Sequence, residues 1–270
     1  MFHSAIGIFD SGVGGLTVLK AVQKVLPYED IVYFADTARM PYGAKSAEQI
    51  VSYSRQILRW MMEEQQVKLV IVACNTSSAL AIEAVSGEFD LPIVDTIRPL
   101  VSMMATQLPN RKVLVLATEA TAKSGAFENA FHIAGYSGII NSIGCPQFVP
   151  LIETGQASSV LALNVAREYL SAPQAEHVEV VVHGCTHYPW MEDTLRAVLP
   201  PHVIFVDPAN AMAQEAWSYL HTHHLASTSD QEGRVTYYTS GVPEHFTGQV
   251  QHLLGINAPL VKKQNFDVMG

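Results

Sequence analysis

Short apolar, β-branched runs alternate with longer amphipathic stretches along almost the whole chain, and this alternation narrows the choice of fold more than any other feature. The apolar runs are Ile6-Gly7-Ile8-Phe9, Ile31-Val32-Tyr33-Phe34, Leu69-Val70-Ile71-Val72-Ala73 and Pro92-Ile93-Val94-Asp95 in the first part of the chain. They continue with Val113-Leu114-Val115-Leu116, Val178-Glu179-Val180-Val181-Val182, Val203-Ile204-Phe205-Val206 and Val235-Thr236-Tyr237-Tyr238. Between them lie stretches such as residues 46–64, where Ile50, Ile57, Leu58 and Met61 recur on one helical face. Near-continuous apolar strands separated by helices are the pattern of parallel sheets covered on both sides. A doubly wound α/β protein is therefore expected. About eight strands are many for one sheet in 270 residues, so two α/β domains are a reasonable alternative to one. Ile97-Arg98-Pro99 is a candidate first crossover and Asp207-Pro208-Ala209-Asn210 a candidate return, because Pro breaks a strand and can open a helix.

Hydrophobic residues make up 49% of the chain and charged ones 15%, which supplies ample material for a core. The formal charge is -9 and Lys and Arg do not cluster, so nucleic acid and anionic membrane are disfavoured as partners. A small anionic substrate remains open, since a local site can oppose the net charge. Three widely spaced cysteines, Cys74, Cys145 and Cys185, argue for reduced thiols in a cytoplasmic protein rather than a disulfide framework. Met1-Phe2-His3-Ser4 lacks a basic region before an apolar stretch, and no run of eighteen or more apolar residues occurs. Neither signal peptide nor membrane span is expected.

Ligands of open α/β sheets bind beyond the carboxyl ends of the strands, so the polar residues there carry the functional reading. After the first apolar run comes Asp10-Ser11-Gly12-Val13-Gly14-Gly15, whose glycines allow a sharp turn and present N–H groups towards an anion. It matches neither the dinucleotide fingerprint nor a P-loop. The plainer reading is a tight strand-to-helix turn with Asp10 as a helix N-cap. Ala73-Cys74-Asn75-Thr76-Ser77-Ser78 and His183-Gly184-Cys185-Thr186-His187-Tyr188-Pro189 share one logic: each places a Cys after an apolar strand and then Thr with a second polar residue before a helix. A helix N-terminus favours the reactive thiolate. A lone Cys is more often buried and inert, but two sites built alike favour function. Cys145, followed by Pro146, has no such context and is expected to be structural. His187 can relay a proton to a nearby thiol, whereas His183, at the strand end, reads as a core histidine. Metal binding is disfavoured because no chelating pair such as CxxC or HxxxH is present. His221-Thr222-His223-His224 reads as the end of an exposed helix without a role.

Two thiols suit one reaction in particular. A carbon that loses a proton from one face and regains one on the other needs an acid and a base that exchange states, and thiols titrate close enough to neutrality to do both. The α-proton of an amino acid is weakly acidic, so the substrate carboxylate must be hydrogen-bonded as charge develops. Ser11, Asn75, Thr76 and Thr186 and the helix N-termini are candidates.

On these residues the chain resembles the aspartate/glutamate racemase family. The matching segments are Ile8-Phe9-Asp10-Ser11-Gly12-Val13-Gly14-Gly15-Leu16-Thr17-Val18, Tyr33-Phe34-Ala35-Asp36-Thr37-Ala38-Arg39-Met40-Pro41-Tyr42-Gly43, Ala73-Cys74-Asn75-Thr76 and Gly184-Cys185-Thr186-His187-Tyr188-Pro189. Weaker matches are Pro150-Leu151-Ile152-Glu153-Thr154-Gly155 and Val206-Asp207-Pro208-Ala209. The resemblance implies two similar α/β domains, each a mostly parallel sheet flanked by helices, with the active site in the interdomain cleft. The first domain would comprise residues 1–97 with 208–270, and the second residues 98–207. It implies interconversion of L- and D-glutamate without cofactor or metal, supplying D-glutamate for peptidoglycan. Cys74 matches the base for the D enantiomer and Cys185 the base for the L enantiomer. Asp10 and His187 match groups that assist the thiols, and Glu153 an acid near that histidine. Asp10, Ser11, Pro41, Tyr42, Gly43, Asn75, Thr76, Thr186 and His187 match substrate-binding positions, as do Thr118 and Thr121. Small-molecule substrate is the expected partner, and homodimers are common in the family. Ala117 stands where the family usually has Gly, and His183 where it usually has Leu. The chain starts almost at its first strand, so the precursor activation associated with N-terminal extensions is not expected. The rivals are a racemase of the same superfamily acting on aspartate or a hydantoin, a hydrolase with Cys185 as nucleophile and His187 as base, and a solute-binding protein without catalysis.

Overall fold

The computed structural model describes residues 4–172, 175–257 and 259–266; residues 1–3, read above for a leader, lie outside them. The chain divides into two compact units, Met1–Thr96 with Ala209–Gly270, and Ile97–Pro208. The first unit holds β1 (Ile6–Asp10), β2 (Ile31–Ala35), β3 (Leu69–Val72), β4 (Ile93–Val94), β9 (Val235–Thr239) and β10 (Val261–Lys263). The second holds β5 (Lys112–Ala117), β6 (Ile139–Gly144), β7 (Val180–Gly184) and β8 (Ile204–Val206). Two strands went unread in the sequence. β6 carries Asn141 and Ser142 among its isoleucines and is mostly half-exposed, and β10 is only three residues long. Both are edge strands, where one-sided burial weakens the apolar signal.

The helices of the first unit are α1 (Leu16–Val25), α2 (Ala47–Glu63), α3 (Asn75–Leu80), α4 (Ile82–Val85), α11 (Pro208–Thr222, from its second residue) and α12 (Pro243–Leu254). Those of the second are α5 (Ile97–Gln107), α6 (Glu119–Ser124), α7 (Ala126–Ile133), α8 (Phe148–Glu153), α9 (Val160–Leu170) and α10 (Glu192–Arg196). Ile97-Arg98-Pro99 opens α5, with Pro99 in its first turn, where a missing N–H costs nothing. The amphipathic stretch from residue 46 is α2, closed at its start by a capping box. Ser46 Oγ accepts from the Gln49 amide (3.3 Å), and Gln49 Oε1 accepts from the Ser46 amide (3.0 Å).

All strand pairings are parallel, in the orders β10-β9-β2-β1-β3-β4 and β6-β5-β7-β8. Both units therefore contain the same arrangement, in which the first strand lies between the second and third and the fourth lies outside the third. The two sheets settle the choice between one domain and two. Phe9, Phe34, Ile57, Trp60 and Met61 fill the core of the first unit, and Leu114, Phe148, Val181, Tyr188 and Met191 that of the second. At each place where the chain order reverses, two strands end level. Phe9 pairs with Val72 across β1 and β3, and Ala117 pairs with Gly184 across β5 and β7.

Buried tyrosines fasten these strand ends. The Tyr33 hydroxyl donates to the Gly12 carbonyl (3.1 Å), and Tyr188 donates to the carbonyls of Ala117 (3.1 Å) and Cys145 (3.0 Å). Burial, reinforced by neighbouring acidic groups, holds Tyr33, Tyr42 and Tyr188 well above the usual phenol range, and burial pushes Tyr237 up to about 12. An unfolded chain releases such protons near pH about 10. The folded state keeps them, so it binds more protons above that pH, and stability falls as pH rises further. The denaturant midpoint is expected to drop on going from pH about 9 to about 11, and less steeply in Tyr237→Phe; a flat midpoint would contradict this account.

Gly184 marks a tight approach in the second sheet. A Cβ there would lie 2.7 Å from Val115 Cγ1, 2.8 Å from the Leu116 carbonyl oxygen and 3.0 Å from Ala117 Cβ. Backbone cannot swing aside as a side chain can. Gly184→Ala is expected to destabilise the second unit by about 1–3 kcal/mol, read as a lowered denaturant midpoint.

Candidate active site

In the first unit β1 delivers Asp10, fully buried, whose Oδ2 accepts from the Gly12 amide at 2.9 Å. Asp10 is thus a turn residue and not the N-cap suggested by the sequence. α1 begins only at Leu16, with Gly15 at its cap. The turn needs glycine there, since a Cβ on Gly15 would sit 2.6 Å from Asp10 Cβ and 2.8 Å from the Tyr33 hydroxyl. Ser11 beside it is half-buried.

β3 runs on through Ala73, whose amide donates to the Phe9 carbonyl (2.9 Å), so Cys74 emerges next to the end of β1. Cys74 occupies the N-cap of α3 and packs with Tyr42, Ile50 and Ala81. Asn75 and Thr76 follow it, both buried, and Asn75 Oδ1 has no protein hydrogen-bond partner. Asp10 and Cys74 both lie close enough to Tyr33 to help keep its phenol protonated.

The Pro41-Tyr42-Gly43 segment is tied to a buried carboxylate that the sequence reading passed over. Asp36, just beyond β2, accepts from the hydroxyls of Tyr42 and Ser240 (2.6 Å to Ser240), and Arg39 Nε lies 3.6 Å away. Ser240 Oγ also accepts from the Ala38 amide (3.0 Å). Tyr42 is buried, Gly43 half-buried and Pro41 exposed. Asp36 and Ser240 each follow a parallel strand, and that position was the signal that could have found them.

In the second unit β7 extends to Gly184, two residues past the Val182 read from sequence, so His183 lies within the strand. Cys185, Thr186 and His187 form a turn, followed by a 3₁₀ turn over Tyr188–Met191, and α10 begins only at Glu192. Cys185 therefore does not cap an α-helix, and the helix-terminus argument holds for Cys74 alone. Its thiol instead faces an imidazole. Cys185 Sγ is 3.9 Å from His187 Nδ1, and His187 Nε2 is 2.7 Å from Glu153 Oε1 at the end of α8. A carboxylate accepts from Nε2–H, which leaves Nδ1 to exchange a proton with sulfur. Thr186 is buried. Thr118 caps α6, accepting from the Thr121 amide (3.3 Å), with the two hydroxyls 2.9 Å apart.

The first unit thus holds Asp10, Ser11, Pro41, Tyr42, Gly43, Cys74, Asn75 and Thr76, and the second holds Thr118, Thr121, Glu153, Cys185, Thr186 and His187. Cys145 stands apart. Its thiol donates to the Ile143 carbonyl at 3.6 Å, and burial raises it well above the usual thiol range. His183 is a core histidine with one polar partner, Glu192 Oε2 at 3.0 Å. Among the described residues no group of three or more His, Cys, Asp or Glu side chains is placed to hold a metal ion, and no helix is long and apolar enough to cross a membrane.

The family model described as Asp/Glu/Hydantoin racemase matches residues 16–216. A glutamate racemase of a Nostoc species is 41% identical over 98% of this chain and 89% of its own length. Among solved structures, glutamate racemase from Thermus thermophilus matches with TM-score 0.86 and 36% identity, covering 98% of each chain. Glutamate racemase from Francisella tularensis, solved in complex with D-glutamate, matches with TM-score 0.89 and 32% identity, over 100% of this chain and 99% of that one. Family model, sequence and structure agree: the chain belongs to the Asp/Glu/hydantoin racemase family, and within it to the glutamate racemases.

Proposed function

We propose that the protein interconverts L- and D-glutamate by proton transfer between two thiols, Cys185 serving the L enantiomer and Cys74 the D enantiomer. The observation that carries this reading is the equivalent placement of the two cysteines. Each stands just past the third strand of a unit whose strand order is the same. The relatives are named glutamate racemases, and the Francisella structure carries D-glutamate.

In this reading the two thiols act on opposite faces of the α-carbon. With L-glutamate, the Cys185 thiolate takes the α-proton while the Cys74 thiol delivers one to the opposite face. The thiols leave in exchanged states, the form that takes D-glutamate, so the reaction runs either way; proton exchange with water restores the form that takes L-glutamate. His187, oriented by Glu153, passes a proton to or from Cys185, and Asp10 serves Cys74. The carbanion's charge spreads into the substrate carboxylate, where each well-placed donor contributes about a hundredfold or more to the rate. Asn75, with its unpartnered buried oxygen, and the Thr76 and Thr186 hydroxyls are the donors and acceptors for the substrate's polar groups. The chemistry calls for no electron sink beyond this hydrogen bonding. Three cysteines outside any disulfide fit a reducing cytoplasm, where D-glutamate would feed peptidoglycan synthesis.

In heavy water the enzyme is expected to place deuterium at the α-carbon of glutamate as optical activity is lost. Cys74→Ser and Cys185→Ser should each lower kcat/KM by about a hundredfold or more, the usual scale of a lost acid or base. Full activity in Cys74→Ser, or faster inversion of aspartate than of glutamate, would overturn the reading.

A further inference from the structure

The segment that carries Cys185, Thr186 and His187 is spanned by a contact that the proposed chemistry leaves unused. His183, in β7, is 1% exposed, and its Nε2 lies 3.0 Å from Oε2 of Glu192, the first residue of α10. A carboxylate can only accept here, so the imidazole donates through Nε2. The other carboxylate oxygen, Oε1, takes both Nε (2.8 Å) and Nη2 (2.6 Å) of Arg196. Arg196 lays its guanidinium over the Phe205 ring, 4.4 Å from the centroid. Phe205, on β8, stacks on the His183 ring at 5.6 Å and 29°. Four side chains from β7, α10 and β8 thus close a ring of contacts, and Glu192 is held ionised down to about 2, first by the hydrogen bond from His183.

Residues 184–191 lie between the two ends of that bond. Their middle is pinned by Tyr188, and the backbone bonds along them each close a single turn, from the Tyr188 amide to the Cys185 carbonyl (3.0 Å), from the Trp190 amide to the His187 carbonyl (3.1 Å) and from the Glu192 amide to the Pro189 carbonyl. So short a helical turn cannot hold itself. We infer that His183 is a positioning residue, whose bond to Glu192 fixes the ends of the 184–191 segment and so sets where Cys185 and His187 stand. His183 touches no reacting atom in this scheme. Its catalytic consequence rests on the racemase reading above; its effect on the segment does not.

The test compares His183→Leu, which removes the donor, Glu192→Ala, which removes the acceptor, and His183→Gln, whose amide restores a donor near Nε2. Amide hydrogen exchange is expected to quicken at Tyr188 and Trp190 in the first two variants and to stay near the parent rate in the third. Because racemisation has an equilibrium constant of unity, kcat/KM must fall equally in both directions, by about ten- to a hundredfold for a displacement of an ångström or less. The discriminating readout is the primary isotope effect with α-deuterated glutamate. Slowing the step at Cys185 raises that effect from the L side, where Cys185 removes the label. It lowers it from the D side, where Cys74 removes the label. A variant that merely reduces the folded fraction leaves both isotope effects unchanged. Unchanged exchange together with unchanged isotope effects in Glu192→Ala and His183→Leu overturns the inference, and Glu192→Ala with His183→Gln keep it testable should His183→Leu fold poorly. If the parent enzyme fails to racemise glutamate while exchange still quickens, the functional reading falls and the clamp stands.

Discussion

The parallel ladders β1–β3 and β5–β7 are the constraint on which both half-sites depend. In a parallel sheet each strand must be reached by a crossover, and the chain order reverses where the first strand has neighbours on both sides. At that reversal the connecting segments leave in opposite directions, and the carboxyl ends are uncovered. The register then decides what stands there. Phe9 opposite Val72 brings Asp10 and Cys74 to one rim, and Ala117 opposite Gly184 does the same for Thr118 and Cys185. A slip by one residue would turn each side chain to the other face of its sheet, and the strands, buried on both sides, tolerate no such change.

A rim of buried polar groups is stable only if they find partners, because an unsatisfied buried group costs about 1–3 kcal/mol. The first unit meets this with acceptors placed inside turns. Asp10 takes the Gly12 amide, while Asp36 takes two hydroxyls and lies near a guanidinium. The second unit uses donors reaching in from one turn, with Tyr188 between two carbonyls and His187 on Glu153. Both solutions leave the loops little freedom, which suits groups that must be aligned before a reaction and not during it.

The layered fold was legible because strands buried on both faces read as unbroken apolar runs. What escaped were the strands with one open side, β6 and β10, in which polar residues dilute the run. The sequence placed the two cysteines just beyond strands and His187 near one of them, and those are their positions in the fold. The meeting of Asp36 with Ser240 was not legible, because the two are 204 residues apart in sequence and the pairing of β2 with β9 brings them together. The helix expected directly after Cys185 is replaced by a turn and a 3₁₀ segment, with Pro189 in its first positions. Proline at that place suits the start of a turn, and the pattern alone did not fix how tightly the turn would wind.

Burial alone does not tell the three cysteines apart. Cys74, Cys145 and Cys185 are 4%, 0% and 6% exposed, nearly alike. Their surroundings differ. Cys145 faces the Ile143 carbonyl, an acceptor that can only take a hydrogen bond from the thiol and would repel a thiolate. Cys185 faces an imidazole nitrogen able to take the proton and to give it back. Cys145 nevertheless bears on its neighbour through its backbone. Its amide donates to the Ala117 carbonyl, and its own carbonyl joins that of Ala117 in accepting from Tyr188, three residues past Cys185. Cys145 thus belongs to the frame that holds the turn of Cys185, and in that frame its thiol serves as a small apolar side chain.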